Sequence, residues 1–103
     1  MEKLNIIKDI LDQRQAEDIK VIDLSDRSSV ADYFVIATGN SINHNKALAD
    51  RIEEELEKNG YKIGNIEGLR EGNWILIDAF DIIVHIFTKK DREYYDLDEL
   101  WEE

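Results

Sequence analysis

Residues 74–88, Trp-Ile-Leu-Ile-Asp-Ala-Phe-Asp-Ile-Ile-Val-His-Ile-Phe-Thr, decide the fold. Two runs rich in β-branched and aromatic residues, 74–80 and 81–88, meet at Phe80-Asp81 with almost no chain between them. A joint this short connects antiparallel neighbours, because a parallel pair needs a crossover of a dozen or more residues. The spacing therefore predicts a β-hairpin.

Upstream of the hairpin, Glu67 to Asn73 is a polar, glycine-containing turn, and Tyr61-Lys62-Ile63 leading into Ile66 reads as the strand before it. Asn59-Gly60 supplies a left-handed stop for a long helix whose buried stripe is Leu48, Ile52 and Leu56. Arg51, Glu53, Glu54, Glu55, Glu57 and Lys58 are its water-facing residues. Ser41 or Asn43 caps its start. Tyr33 to Thr38 is nearly continuous in β-favouring residues, as a strand covered on both faces requires, and is expected at the sheet's centre. Residues 19–24 form another strand, closed by the polar turn 25–29. Leu4, Ile6, Ile7, Ile10 and Leu11 recur at helical spacing over residues 2–14.

Downstream, Thr88 with Asp91 forms a capping pair for a final helix holding Tyr94, Tyr95, Leu97, Leu100 and Trp101. The order is helix, two strands, helix, three strands, helix. This is a single α/β (α+β) domain with a mixed five-stranded sheet flanked by helices.

Of the 103 residues, 43% are hydrophobic and 36% charged, in keeping with a globular chain. The absence of cysteine excludes disulfides and thiolate metal sites and fits a cytoplasmic setting. No apolar run reaches the roughly 18 residues of a membrane span, and Met1 to Asn5 lacks a signal-peptide pattern, so an unexported protein is expected. The net charge of −11 repels nucleic acid and anionic membrane and favours a basic protein surface as partner.

Searching for chemistry, we weigh His85 against Asp78 and Asp81 across the hairpin, as a hydrolytic pair or metal ligands. Neither has a diagnostic spacing, and a single histidine on a strand is ordinarily a hydrogen-bonded structural residue. His44 falls in the first turn of the long helix, where exposure is the simpler reading. The Gly39-Asn40-Ser41 turn is similar to the phosphate-cradling loop of the nucleotidyltransferase fold, but the closely spaced acids which that chemistry needs for magnesium are missing, and the turn reads as punctuation between strand and helix. No catalytic residue, metal or cofactor is assigned. Trp74, just after Gly72-Asn73, suits either a lid on the core or an interface anchor. The acidic segment 96–103 reads as an amphipathic helix, or as a rim steering the domain to a basic partner.

Taken in order, ADYFVIATGNS (31–41), Glu67-Gly68, NWILID (73–78), DIIVHIF (81–87), REYYDL (92–97) and Leu100-Trp101 resemble the ribosomal silencing factor, or Iojap, family across nearly the whole chain. The resemblance implies a nucleotidyltransferase-like fold without the catalytic acids. It further implies binding to ribosomal protein number fourteen of the large subunit, steric blockage of subunit joining, repression of translation when nutrients are short, and a homodimer in the free state. It makes the sheet face around Trp74 and Leu76 the contact, with Asp32, Tyr33, Glu67 and Asp78 around it. The alternative is a nucleotidyltransferase-like nucleotide-binding protein. Two departures stand out. Relatives usually carry glycine where this chain has Phe80, and a residue that does not tolerate positive φ is expected to change the turn. Relatives also often have aspartate where Asn73 stands, which removes a charge.

Overall fold

The computed structural model describes residues 2–26 and 31–97. The elements are α1 (Glu2–Gln13), β1 (Glu17–Asp23), β2 (Tyr33–Gly39), α2 (Ile42–Lys58), β3 (Asn65–Glu67), β4 (Trp74–Asp78), β5 (Ile82–Thr88) and α3 (Lys89–Tyr95). The five strands form one mixed sheet in the order β1-β2-β5-β4-β3. Only β2 and β5 run parallel. The other three pairings are antiparallel, including the expected β4–β5 hairpin.

The central strand is β5 rather than β2. Both runs are equally apolar, so hydrophobicity does not separate them; α2 carries the chain across so that β5 arrives beside β2, and the hairpin then lays β4 on its other edge.

Alternation along the strands creates two unlike faces. Val35, Ala37, Ile75, Ile77, Ile82, Val84 and Ile86 project to one side and meet Ile7, Ile10 and Leu11 of α1 and Leu48, Ile52 and Leu56 of α2. At about 25 cal/mol per Å² of buried apolar surface, this layer supplies the main drive to fold. On the other side Ile36 and Phe87 join Ile22 and Leu24, with Phe34, Trp74 and Leu97 packed against them. Here α3 packs over β5 and β2, and Arg92 donates to the Thr38 hydroxyl at 3.0 Å.

Several boundaries shift for local reasons. β1 begins two residues early because a bulge between Glu17 and Lys20, with Asp18 at φ 49°, lets pairing with β2 continue. Residues 61–64 stay outside the ladder, so β3 is only three residues long; Gly64 N–H bonds the Asp78 carbonyl just before pairing starts. Ser41 caps α2, accepting from His44 N–H, and Gly60 at φ 85° follows its end. Thr88 caps α3 as expected, through Asp91 N–H. That helix stops at Tyr95, however, because Asp96 is left-handed, so Leu97 does not continue it. Leu100 and Trp101, and the acidic segment beyond residue 97, lie outside the described residues, as does most of the turn 25–29.

Phe80 overturns the expectation that a bulky side chain avoids the glycine conformation: its φ is 71°. The turn is held by the Ala79 N–H to Ile82 carbonyl bond at 2.9 Å and by Asp78 Oδ1, which accepts from Phe80 N–H at 3.0 Å. Positive φ gives a two-residue hairpin the twist its strands require, and these bonds impose it on phenylalanine.

Candidate functional site: the second face of the sheet

The hairpin register fixes the neighbours of each side chain on this face. Trp74 lies opposite Phe87 and Leu76 opposite His85, while β2 places Ile36 on the other side of His85. The capped start of α3 then sets what lies above. Asp91 and Tyr95 are four residues apart and share one helix face; Asp91 accepts the Asn73 amide at 2.6 Å, and the Tyr95 ring stands 4.5 Å from that of Trp74. Two consecutive residues entering β4 are thus held by two turns of α3. The missing charge at Asn73 has a physical reason here, since a carboxylate facing Asp91 would be repelled.

Trp74 is half-buried on an aromatic bed, with Phe87 at 5.0 Å between ring centroids and His85 at 6.0 Å. Its indole N–H donates to His85 Nδ1 at 3.1 Å. Position alone left lid and anchor open for Trp74; its ring closes the aromatic cluster on one side and stays partly accessible at the sheet's rim. His85 is buried between Phe34, at 4.9 Å, and Phe87. Burial among these rings pushes its imidazole down to about 4. It is a hydrogen-bonded structural histidine. Among the described residues no three His, Asp or Glu side chains converge on a point that could hold a metal.

The six residues singled out in the sequence divide between the faces. Trp74, Leu76 and Asp78 share this one by strand alternation, and Glu67, paired with Leu76, lies beside them. Asp78 is partly committed to the Phe80 turn, whereas Glu67 is exposed and accepts from the Asn65 amide at 3.0 Å. Asp32 is exposed at the entry to β2, its main chain joined to Asp81 and Leu24. Tyr33 belongs to the opposite face, packed against the helical layer. Sequence reasoning missed Tyr95, Phe87 and Phe34 as parts of the cluster. The Thr88 cap could have located Tyr95, because it fixes which residues face the sheet two turns later.

At the same end of the sheet as Trp74 but on the side covered by α1 and α2, Gln13, Arg14, Gln15, Asn40, His44, Ala47 and Leu48 line a groove of about 420 Å³ beside the Gly39-Asn40-Ser41 turn. Two main-chain donors there are engaged within the chain: Asn40 N–H bonds His44 Nδ1 and His44 N–H bonds Ser41 Oγ, while His44 Nε2 lies 2.7 Å from the Arg14 carbonyl. The turn knits α1 to α2.

The sequence matches the family described as ribosomal silencing factor during starvation over residues 1–103. The chain belongs to the ribosomal silencing factor family. It is 41% identical over 98 residues to ribosomal silencing factor RsfS of Bacillus subtilis, covering 95% of this chain and 83% of that one. Among solved structures, a Chromobacterium violaceum protein superposes with a TM-score of 0.94 at 34% identity, covering 97% of this chain and 83% of that one. A Bacillus halodurans protein gives 0.88 at 33% identity, covering 97% and 93%. The single-domain mixed sheet of this silencing factor family member is therefore the fold of its relatives. None of its described helices is long and apolar enough to cross a membrane.

Proposed function

We propose that this protein binds ribosomal protein number fourteen of the large ribosomal subunit through the second sheet face, and so keeps the small subunit from joining. Translation falls as a result when nutrients are short. The observation that carries the reading is Trp74: a half-buried indole, held on a rigid aromatic bed, on the face that α1 and α2 leave to α3. Pre-ordered aromatic anchors of this kind give interfaces most of their energy. Leu76 extends the apolar centre, and Glu67, Asp78 and Asp32 form an acidic margin suited to a basic ribosomal protein. Tyr33, on the opposite face, supports the fold rather than the contact. The charge of −11 discourages spreading over ribosomal RNA.

The mechanism is occlusion in the cytoplasm, with no bond made or broken and no cofactor. In the free state the same face pairs two copies, which sedimentation at several concentrations would register as a dimer. The nucleotide-binding reading lacks comparable support, since Asn40 N–H in the 39–41 turn and His44 N–H just beyond it are already used within the chain.

The test is co-sedimentation with isolated large subunits, small subunits and joined ribosomes, followed by a subunit-joining assay. Selective large-subunit binding with impaired joining is expected, and Trp74→Ala should weaken it about 30-fold or more. A folded Trp74→Ala protein that binds normally removes the indole from the contact.

A further inference from the structure

His85 lies mid-strand in the central strand, its ring among Phe34, Trp74 and Phe87 and its register partners Ile36 and Leu76. Leucine or phenylalanine would fill such a place without burying a polar ring. What histidine adds is one acceptor. An indole has a single donor and no acceptor, and a partly buried indole N–H without a partner carries a penalty. The Nδ1 lone pair meets that N–H at 3.1 Å. Accepting there places the imidazole proton on Nε2, which is buried and has no hydrogen-bond partner among the described residues. The histidine therefore gives up satisfaction of its own second nitrogen while serving the tryptophan.

Trp74 needs such a restraint. It is the first residue of β4, and Asn73 before it is still paired, its carbonyl accepting from Thr88 N–H at 3.0 Å; this pairing fixes the main chain and leaves the ring's orientation to its side-chain contacts with Phe87, Tyr95 and His85.

We propose that His85 is the positioning residue of the Trp74 contact, fixing the indole by its N–H so that only ring carbon is offered outward. This rests on the reading of Trp74 as the partner contact. It also defines the partner's chemistry: with its one donor turned inward, the indole is met by an apolar or cationic surface, the latter lying against the ring face, and not by a hydrogen-bond acceptor. The bond makes the anchor rigid before the encounter, which removes an ordering penalty at binding.

Two polar replacements separate the geometry from general packing. His85→Asn places an amide oxygen near the Nδ1 position, whereas His85→Gln carries its amide out to the Nε2 position. Affinity for purified large subunits is measured for both, alone and combined with Trp74→Phe. The Trp74 indole N–H resonance, assigned by its disappearance in Trp74→Phe, is followed in each. His85→Asn should bind like the parent with a protected indole N–H. His85→Gln should lose about ten-fold in affinity, with faster indole N–H exchange, and should lose nothing further in the Trp74→Phe background. Equal binding by the two folded variants, or losses that add in the double variant, overturns the positioning role while leaving Trp74 as the contact. Normal binding by Trp74→Ala overturns the contact itself and the role of His85 with it.

Discussion

The Lys3 ammonium lies 2.6 Å from Asp81 Oδ1 and also donates to the Ala79 carbonyl at 2.9 Å, so the first turn of α1 grips the far hairpin turn across more than seventy residues of sequence. The lysine side chain is only 11% exposed, which reduces the solvent screening that weakens surface pairs. Lys3→Ala should lower stability by about 1–2 kcal/mol, read from urea midpoints. Lys3→Met, which keeps much of the stem, should lose less if packing contributes.

Phe80 is exposed and holds positive φ, a conformation that disfavours an L side chain by roughly 1–2 kcal/mol. Phe80→Gly should therefore raise stability by about 0.5–1 kcal/mol, the gain being reduced by unfolded-chain entropy and by loss of the ring beside Gly64. Phe80→Val, β-branched at the same φ, should be less stable than the parent. Thermal midpoints of the three proteins give the order.

His85 should impress a pH dependence on stability. Its pKa in the folded chain, about 4, lies below the ordinary value of 6.5, so between these values the unfolded chain binds the proton more readily. Its favourable contribution is complete above pH 6.5 and is lost as pH falls towards 4, with an integrated size of about 3 kcal/mol. The ring contacts and register partners around it, Phe34, Ile36, Trp74, Leu76 and Phe87, carry no charge to offset this. Urea unfolding at pH 7, 5.5 and 4.5 should show a steeper fall for the parent than for His85→Asn, and parallel curves would exclude the effect.

Gly39 is required by its neighbour. A Cβ there would sit 1.9 Å from Asn45 Oδ1, and the buried Asn45 is not free to withdraw because its Nδ2 donates to the Gly72 carbonyl at 2.8 Å. Gly39→Ala should destabilise by about 1–3 kcal/mol, and adding Asn45→Ala should recover part of the clash at the expense of the Gly72 bond. Chemical unfolding of the single and double variants measures the coupling.

Periodicity and capping made the elements legible: Leu48, Ile52 and Leu56 identified the buried side of α2, and Thr88 with Asp91 marked the start of α3. Even the Trp74–His85 neighbourhood was accessible in principle, because a two-residue turn at 80–81 sets Trp74 against Phe87 and Leu76 against His85. Sheet order was not legible, since β2 and β5 have the same apolar character and only the three-dimensional path of α2 distinguishes them. Tyr33 was grouped with Trp74 because its facing depends on register within the sheet, not on its own neighbours. The Phe80 turn defied its side chain because bonds from Asp78, Ala79 and Lys3 to the turn outweigh a local preference.

The alternation along β4 makes parity a division of labour. Ile75 and Ile77 answer to the interior, while Trp74, Leu76 and Asp78 are available to answer to something outside. Inserting one residue just before Ile75, with the hairpin turn left as it is, would turn Trp74 to the inner side and put the added residue in its outward place, so the insertion could spare the hydrophobic layer while silencing the encounter. Tolerance to change along this strand should accordingly come in two interleaved patterns, one scored by folding and the other by recognition.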